Sequence, residues 1–280
     1  MIAVASLAEV PAGRGFGSVQ LNLLIRLGSL AAAGVALVAV DGFRLPVGSY
    51  VLAGLGIGVL TGVGSIIYCL SLIELPLSMV VTLSNLYLVI TMALGVSVLH
   101  ESVTLLKAAG VMATLGGVVL LAYPPSSRYG VHSAASTARE TPPLRAFATI
   151  GAYVVIIGVG AFLEKPALRG LDAVQLNGLM AFAMTAVAAI ALVIEGPVMP
   201  VTTRSVGVLG VGAIIGVASV FYFLGLRGLP VSVAAASSNS YIVITVLLSA
   251  IVLRQPLTRA RGGAIGLTIV GLTLLALGAT

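Results

Sequence analysis

Long apolar segments separated by short polar connections run through almost the whole chain. A membrane-spanning helix needs about 20 consecutive, mostly apolar residues. Segments of that kind predict spans at residues 18–40, 49–71, 77–99, 103–123, 146–165, 174–194, 205–225, 231–253 and 260–279. The longest connection, residues 123–143, is rich in proline, serine and arginine. The pattern predicts an all-α, polytopic integral membrane protein with a boundary near the middle of the chain.

Composition supports the same class of protein. Of the 280 residues, 59% are hydrophobic and 8% are charged, and the mean hydropathy is +1.20. Soluble domains contain about 25% charged residues, so most of this protein's exterior must face a lipid bilayer. The net charge of +6 comes from arginines in the connections and indicates membrane orientation, not binding to nucleic acid. The single Cys69 excludes an internal disulfide framework.

The polar positions occur twice. Residues 84–91 read Ser-Asn-Leu-Tyr-Leu-Val-Ile-Thr, and residues 238–245 read Ser-Asn-Ser-Tyr-Ile-Val-Ile-Thr, so six of eight positions are identical at an offset of 154. The same offset, or 155, relates further pairs: Asn22 and Asn177, Ser65 and Ser219, Tyr68 and Tyr222, Gly117 and Gly271. Repetition at a fixed offset predicts two copies of one unit, at residues 1–123 and 144–280, joined by a loop at 124–143.

The two copies differ at their beginnings. Residues 9–15 match residues 164–170, but a full span, residues 146–163, precedes only the second match. Either the natural chain starts further upstream or it has nine spans and a stub, and we expect a truncated first helix in a protein of about ten spans. Five spans per copy is an odd number, so the second copy must enter the membrane from the opposite side. Such inverted five-helix repeats place their site near the midplane, where the halves meet.

Duplicated polar residues are the first candidates for a solute site. Positions i, i+3 and i+7 share one helix face, so Ser84, Tyr87 and Thr91 form one polar stripe, which the second copy repeats. For the tyrosines we favour a role in lining a cavity, and for the serines and threonines we favour packing between helices, which polar side chains also serve in membranes. Tyr68 and Tyr222 either line the cavity or anchor the protein at the bilayer interface. The predicted substrate-binding residues are Tyr87, Tyr241, Asn85, Asn239, Ser84, Ser238, Tyr68 and Tyr222.

Acidic residues offer a second kind of chemistry. Glu164 follows the apolar residues 146–163, and its counterpart is Glu9. An acid that faces a transport path can carry a proton and couple export to the proton gradient. The alternative, which we favour, is that Glu164 lies at the interface and pairs with Lys165 or a nearby arginine.

Other charged residues have simpler interpretations. Arg26 lies inside a predicted span where the second copy has Ala181; it either reaches to the lipid headgroups or binds an anionic substrate group. The loop pair His100-Glu101 is expected to be solvated. No cofactor or metal site is predicted, because His100 and His132 are too few and too isolated to ligate a metal. No catalytic constellation is visible, so the chain is not expected to be an enzyme.

Glycines recur at four-residue spacing in both copies, at positions 54, 58 and 62 and at positions 212 and 216. Small residues with this spacing let membrane helices approach closely. These glycines therefore predict close contacts between helices.

Taken together, the motifs resemble the drug/metabolite transporter superfamily, in its EamA-type members with two five-helix repeats. The residues that carry the resemblance are the run 84–91, the loop His100-Glu101-Ser102 and the glycine-punctuated helix that contains Gly110 and residues 116–122. Glu101 matches the family's loop acid, while His100 replaces the usual glycine and Gln255 replaces the acid of the second copy. Leu88 and Ile242 stand where many members have proline.

The resemblance implies a secondary transporter, with a cavity to which Tyr68, Glu164 and Tyr222 contribute together with the duplicated polar run. We expect a carrier in the cell inner (plasma) membrane that exports a small polar or amphipathic, amino-acid-like metabolite by alternating access. The alternatives are a proton-coupled exporter of cationic drugs that uses Glu164, and a non-transporting membrane accessory subunit. The expected partners are a small-molecule substrate and the lipid bilayer, and both a monomer and a homodimer are compatible with the sequence.

Overall fold

The computed structural model describes residues 17–41, 48–75, 80, 83–102, 104–122, 144–196, 203–238 and 259–279. Within these ranges the chain folds into nine helices and no strand. They are α1 (Ser18–Asp41), α2 (Ser49–Glu74), α3 (Tyr87–Leu99), α4 (Leu105–Ala122), α5 (Leu144–Ala167), α6 (Ala173–Glu195), α7 (Thr203–Gly228), α8 (Val231–Ser238) and α9 (Arg259–Ala279). The all-helical, polytopic architecture predicted from the sequence is confirmed.

One predicted span differs from the structure. The sequence predicts a continuous helix over residues 77–99, but Asn85 and Leu86 form a turn and α3 begins only at Tyr87. The amide of Leu86 donates to the carbonyl of Leu83 at 3.0 Å, and the amide of Leu88 donates to that of Asn85 at 3.2 Å. These are three-residue steps, tighter than the four-residue steps of an α-helix. The polar pair Ser84 and Asn85 therefore lies at an interruption, not within a regular helix.

Five of the described helices are long and apolar enough to cross a membrane: residues Ser18–Val40, Ser49–Ser71, Leu144–Ala167, Ala173–Glu195 and Ser205–Gly228. Their outer faces carry exposed aliphatic side chains, such as Leu52 at 74% and Val35 at 69% exposure. A helix satisfies its own backbone hydrogen bonds, so an apolar outer face makes it stable in lipid. The chain is therefore a multi-pass membrane protein.

The predicted glycine contacts join the two halves of the chain. A Cβ atom on Gly212 of α7 would lie 2.1 Å from the carbonyl oxygen of Ile25 on α1, and a Cβ on Gly58 of α2 would lie 2.8 Å from the Cα of Met180 on α6. Gly212 follows Gly58 by 154 residues, and Met180 follows Ile25 by 155. The same contact is thus made twice with the halves exchanged, as a two-fold axis between them requires.

The direction of the copies is visible where α4 packs against its own counterpart, α9. A Cβ on Gly110 would lie 2.9 Å from the amide nitrogen of Leu275, and a Cβ on Gly117 would lie 2.8 Å from the carbonyl oxygen of Ala264. Residue numbers rise along one helix as they fall along the other, so the two helices are antiparallel. A helix and its copy that run in opposite directions belong to inverted repeats. The end points given above for each repeat remain a prediction.

Candidate functional site

A cavity of about 330 Å³ lies between the five long helices. Four of its described wall residues come from each of α6 and α7, three from each of α2 and α5, and two from α1. They are Arg26, Ser29, Thr61, Ser65, Tyr68, Tyr153, Ile157, Glu164, Asn177, Met180, Ala181, Met184, Ile215, Ser219, Tyr222 and Phe223. Both halves of the chain therefore contribute to one cavity.

The cavity lies on the two-fold axis. Tyr68 and Tyr222, which occupy equivalent positions in the two copies, both belong to its wall, and so do Ser65 and Ser219. Each serine precedes its tyrosine by three residues, so both side chains of a pair project from the same helix face. This is the location that inverted repeats predict for a binding site.

Among the described residues of the cavity wall, Glu164 is the only acid. The spacing of Tyr153, Ile157 and Glu164 places all three on one face of α5, towards the cavity. The residue is 7% exposed, and its carboxyl group shares a side-chain hydrogen bond with Tyr222. Its Oε2 atom has no hydrogen-bond partner among the described residues. A buried carboxyl oxygen in a polar cavity is available to a bound solute or a proton.

Among the described residues, the structure shows no ion pair between Glu164 and Lys165 or an arginine. Lys165 Nζ instead donates to the backbone carbonyl of Leu229 and lies 3.9 Å from Glu101 Oε1. Lys165 follows Glu164 directly, so its side chain leaves the helix about 100° further round and faces a different neighbour. The predicted pairing of Glu164 with Lys165 is therefore wrong, and Glu164 faces the cavity.

Glu101 is not the solvated loop residue that the sequence predicts. His100 ends α3 in the left-handed conformation, with φ of 54°, and turns the chain back. The Glu101 carboxylate accepts a hydrogen bond from the amide of Val231 at 2.6 Å, and its side chain is only 11% exposed. A carboxylate at the first residue of a helix compensates the unpaired amides there. Glu101 thus joins the first half of the chain to the start of α8 in the second.

Two pairs of aromatic rings form part of the cavity wall. The rings of Tyr68 and Tyr153 have centroids 5.2 Å apart and are tilted by 46°, and those of Tyr222 and Phe223 are 5.3 Å apart. Tilted pairs at these distances have favourable aromatic geometry. Of the two roles considered for Tyr68 and Tyr222, the structure places both residues in the cavity wall.

Arg26 also belongs to the cavity wall. Its Nη1 atom lies 3.8 Å from the sulfur of Met184, and its backbone carbonyl accepts a hydrogen bond from Thr185 at 3.2 Å. Both contacts join α1 to α6 of the other half. The structure therefore places the guanidinium group beside the cavity.

The duplicated run lies elsewhere. Ser84 and Asn85 are buried at the turn before α3, and Tyr87 packs against an apolar cluster of Leu88, Val111, Leu115, Val233 and Leu275. These three residues and Ser238, at the end of α8, are not among the described residues that line the cavity. Their role in substrate binding stays a prediction, and the remaining candidates, Asn239, Tyr241 and Glu9, lie outside the described residues.

Thr91 performs the packing role expected for the polar stripe. Its hydroxyl lies 3.0 Å from the carbonyl oxygen of Tyr87 in its own helix and 3.1 Å from that of Gly158 in α5. The side chain is fully buried. Thr91 thus links two helices and does not belong to the described cavity wall.

Several cavity residues were not proposed from the sequence. The sequence could have identified Ser65 and Ser219, because they repeat at the same offset as Tyr68 and Tyr222 and lie on the same helix face as those tyrosines. Tyr153 had a weaker signal, its spacing from Glu164, and no counterpart within the chain to draw attention to it. Asn177 repeats as Asn22, but the structure separates their roles: Asn177 lines the cavity, while Asn22 donates to Ser65 at 3.1 Å.

Fold and site together define a class: a multi-pass helical membrane protein with inverted repeats around a polar central cavity. Residues 145–277 match the EamA-like transporter family. The second half of the chain is an EamA-like transporter domain, which confirms the resemblance seen in the sequence.

A solved structure titled "Crystal structure of protein" is similar to this chain with a TM-score of 0.80 and 20% sequence identity, over 99% of this chain and 93% of that chain. At this identity the likeness shows that the whole fold is shared. No protein with a curated description matches the chain.

Proposed function

We propose that this protein is a secondary active transporter of the inner (plasma) membrane that exports a small polar or amphipathic, amino-acid-like metabolite by alternating access. The observation that carries the proposal is the cavity on the two-fold axis, walled by polar residues from two inverted halves. In such an arrangement, rocking one half against the other opens the same site to each side of the membrane in turn. The EamA-like domain supports the same class of activity.

The cavity favours a small solute with polar groups. Its volume of about 330 Å³ is near the lower end of the roughly 300–1,000 Å³ found for ligand pockets. Hydroxyl and amide groups line it together with one described acid, Glu164, and one described base, Arg26. Methionine and aromatic side chains supply apolar surface beside these groups. This mixture suits a molecule that has both charged and apolar parts.

Transport by purified protein in proteoliposomes tests the proposal. Uptake is measured for labelled amino acids, nucleosides and cationic drugs, with and without a pH gradient and with each compound preloaded for exchange. We expect uptake of at least one amino acid above protein-free vesicles. Absence of net movement or exchange for every compound contradicts the proposal, and a stoichiometric copurifying partner would then favour an accessory subunit.

Single substitutions connect the activity to the cavity. Tyr222→Phe and Tyr68→Phe remove a hydroxyl from the wall and are expected to reduce uptake about 10-fold, the usual effect of losing a hydrogen bond worth about 1 kcal/mol or slightly more. Tyr50→Phe, on the outer side of α2 at 42% exposure, is the matched control and should transport normally. Equal uptake by all three variants would show that the cavity is not the transport site.

A proton-coupled exporter of cationic drugs is the second candidate, because Glu164 presents a buried carboxyl oxygen to a cavity that also contains tyrosine rings. Aromatic faces and a carboxylate both attract organic cations. Arg26 in the same wall disfavours a cation. Drug export that persists in Glu164→Gln would dismiss this candidate.

A further inference from the structure

Arg26 introduces a positive charge on only one side of the two-fold axis. Its equivalent in the second half is Ala181, and both residues line the same cavity. Arg26 lies eight residues into α1, roughly 12 Å along the helix axis from Ser18. A guanidinium group at such a depth in a membrane helix is costly and is a functional candidate by default.

The guanidinium group is held by residues of the opposite half. Thr185 binds the Arg26 carbonyl at 3.2 Å, which fixes the backbone of α1 against α6, and the sulfur of Met184 lies 3.8 Å from Nη1. A thioether is only a weak hydrogen-bond acceptor, so this contact helps to position the guanidinium group. The planar fork of an arginine matches the two oxygens of a carboxylate.

An acidic side chain from the second half of the chain complements Arg26. Glu164 of α5 lines the same cavity, with its carboxyl group beside the Tyr222 hydroxyl. One acid and one base in the wall of the same cavity complement a solute that carries both charges. Because the symmetry-equivalent position of Arg26 is an alanine, such a solute has one favoured orientation and not two related by the axis.

We propose that Arg26 is the residue that selects the substrate by its carboxylate, and that the substrate is a zwitterion whose ammonium group faces Glu164. This inference rests on the proposed transport function. It predicts that a free α-carboxylate is required, whereas an amide or an amine with the same side chain is bound poorly.

Competition in proteoliposomes tests the requirement. Uptake of labelled L-leucine, L-threonine and L-phenylalanine is measured against the unlabelled amino acid, its amide and its decarboxylated amine. With the wild-type protein we expect the amino acid to compete about 10- to 100-fold better than the amide, the usual range for losing a hydrogen bond to a charged group. Arg26→Gln should abolish this preference, and Arg26→Lys, which keeps the charge but not the fork, should retain part of it.

Two further variants sharpen the test. Arg227→Gln removes an arginine that lies outside the cavity wall and pairs with Asp172, so it should leave the preference unchanged. Arg26→Ala combined with Ala181→Arg moves the charge to the equivalent position and should restore part of the preference if it folds. If Arg26→Gln is not incorporated into the vesicles, the wild-type competition still tests whether a carboxylate is required, and Arg26→Lys still tests whether Arg26 selects it.

The outcomes of these experiments distinguish failure of this inference from failure of the proposed transport function. Uptake with equal competition by amino acid, amide and amine refutes selection by a carboxylate and leaves the transport function standing. An acid preference that survives unchanged in Arg26→Gln refutes the assignment to Arg26. Uptake of nucleosides or drugs without uptake of any amino acid refutes this inference alone. Absence of uptake for every compound of the panel overturns the transport function and this inference with it.

Discussion

Substituting Gly212 by alanine is a direct test of how the halves pack. A Cβ atom there would lie 2.1 Å from the carbonyl oxygen of Ile25 and 2.9 Å from its carbonyl carbon. Both partners are backbone atoms of α1, so no side-chain rotation relieves the contact. Restoring an ordinary van der Waals distance requires α1 and α7 to separate by more than about 1 Å, and a gap of about 0.5–1 Å already forfeits a quarter to a half of the dispersion energy along it.

The expected magnitude follows from two opposing effects. Forcing extra atoms into a packed interface costs about 1–3 kcal/mol, occasionally more, while alanine gains up to about 1 kcal/mol over glycine within a helix. We therefore expect Gly212→Ala to lower the free energy of unfolding by up to about 2 kcal/mol relative to the wild type, and by about 1–3 kcal/mol relative to a glycine-to-alanine change that meets no steric contact. A Cβ atom on Gly210, in the same helix, would meet nothing within 4 Å, so Gly210→Ala should be neutral or stabilising by up to about 1 kcal/mol.

Thermal unfolding in detergent, followed by size-exclusion chromatography of a fluorescently tagged protein after heating, compares the two variants. At roughly 2–4 °C per kcal/mol, a difference of about 1–3 kcal/mol places the midpoint of Gly212→Ala about 2–12 °C below that of Gly210→Ala. Gly58→Ala, at the equivalent position of α2, should also destabilise the protein, because its Cβ would lie 2.8 Å from the Cα of Met180. Coinciding midpoints for Gly212→Ala and Gly210→Ala would refute the close approach of α1 and α7.

Three further predictions use the same unfolding assay. Glu101→Ala should cost about 1.5–3 kcal/mol, because it removes a charged acceptor from the amide of Val231, whereas Glu101→Gln keeps an acceptor and should cost less; equal losses would show that a neutral acceptor contributes nothing there, and no loss in either variant would refute the contact. Thr91→Val should cost about 0.6 kcal/mol and at most about 2, the range for hydrogen bonds between membrane helices, and a larger loss would indicate a cavity or strain instead. Arg227→Ala should change stability by less than about 1 kcal/mol, since its ion pair with Asp172 is exposed; a loss of several kcal/mol would contradict this.

The helices and their inverted arrangement could be predicted because each leaves a local mark in the sequence. Apolar length sets the spans, and a fixed offset between duplicated residues reveals the copies. Gly58 and Gly212 illustrate this: their spacing predicted close contacts, and the structure places both against backbone of the opposite half. The interruption at Asn85 and Leu86 left no such mark, because neither glycine nor proline occurs there.

The cavity could be predicted only in part, because side-chain direction depends on how helices rotate against one another. Tyr68 and Tyr222 were correctly considered as wall residues, but the more conspicuous Tyr87 packs against an apolar cluster. Glu164 and Lys165 are adjacent in sequence, yet one faces the cavity and the other reaches Glu101. Adjacent side chains point about 100° apart around a helix. Sequence spacing alone does not show which of these directions faces the cavity.

The way in which the halves interlock has a consequence for biosynthesis. α1 packs mainly against α6 and α7, and α2 mainly against α5 and α6, while α1 and α2 have little contact with each other. The ribosome synthesises α1 and α2 long before residues 144–228. These two helices are therefore inserted into the bilayer before the helices that they contact in the folded protein are available. A nascent chain of this protein should accordingly stay protease-sensitive and loosely assembled until α7 has been inserted, and then become compact in a single late step.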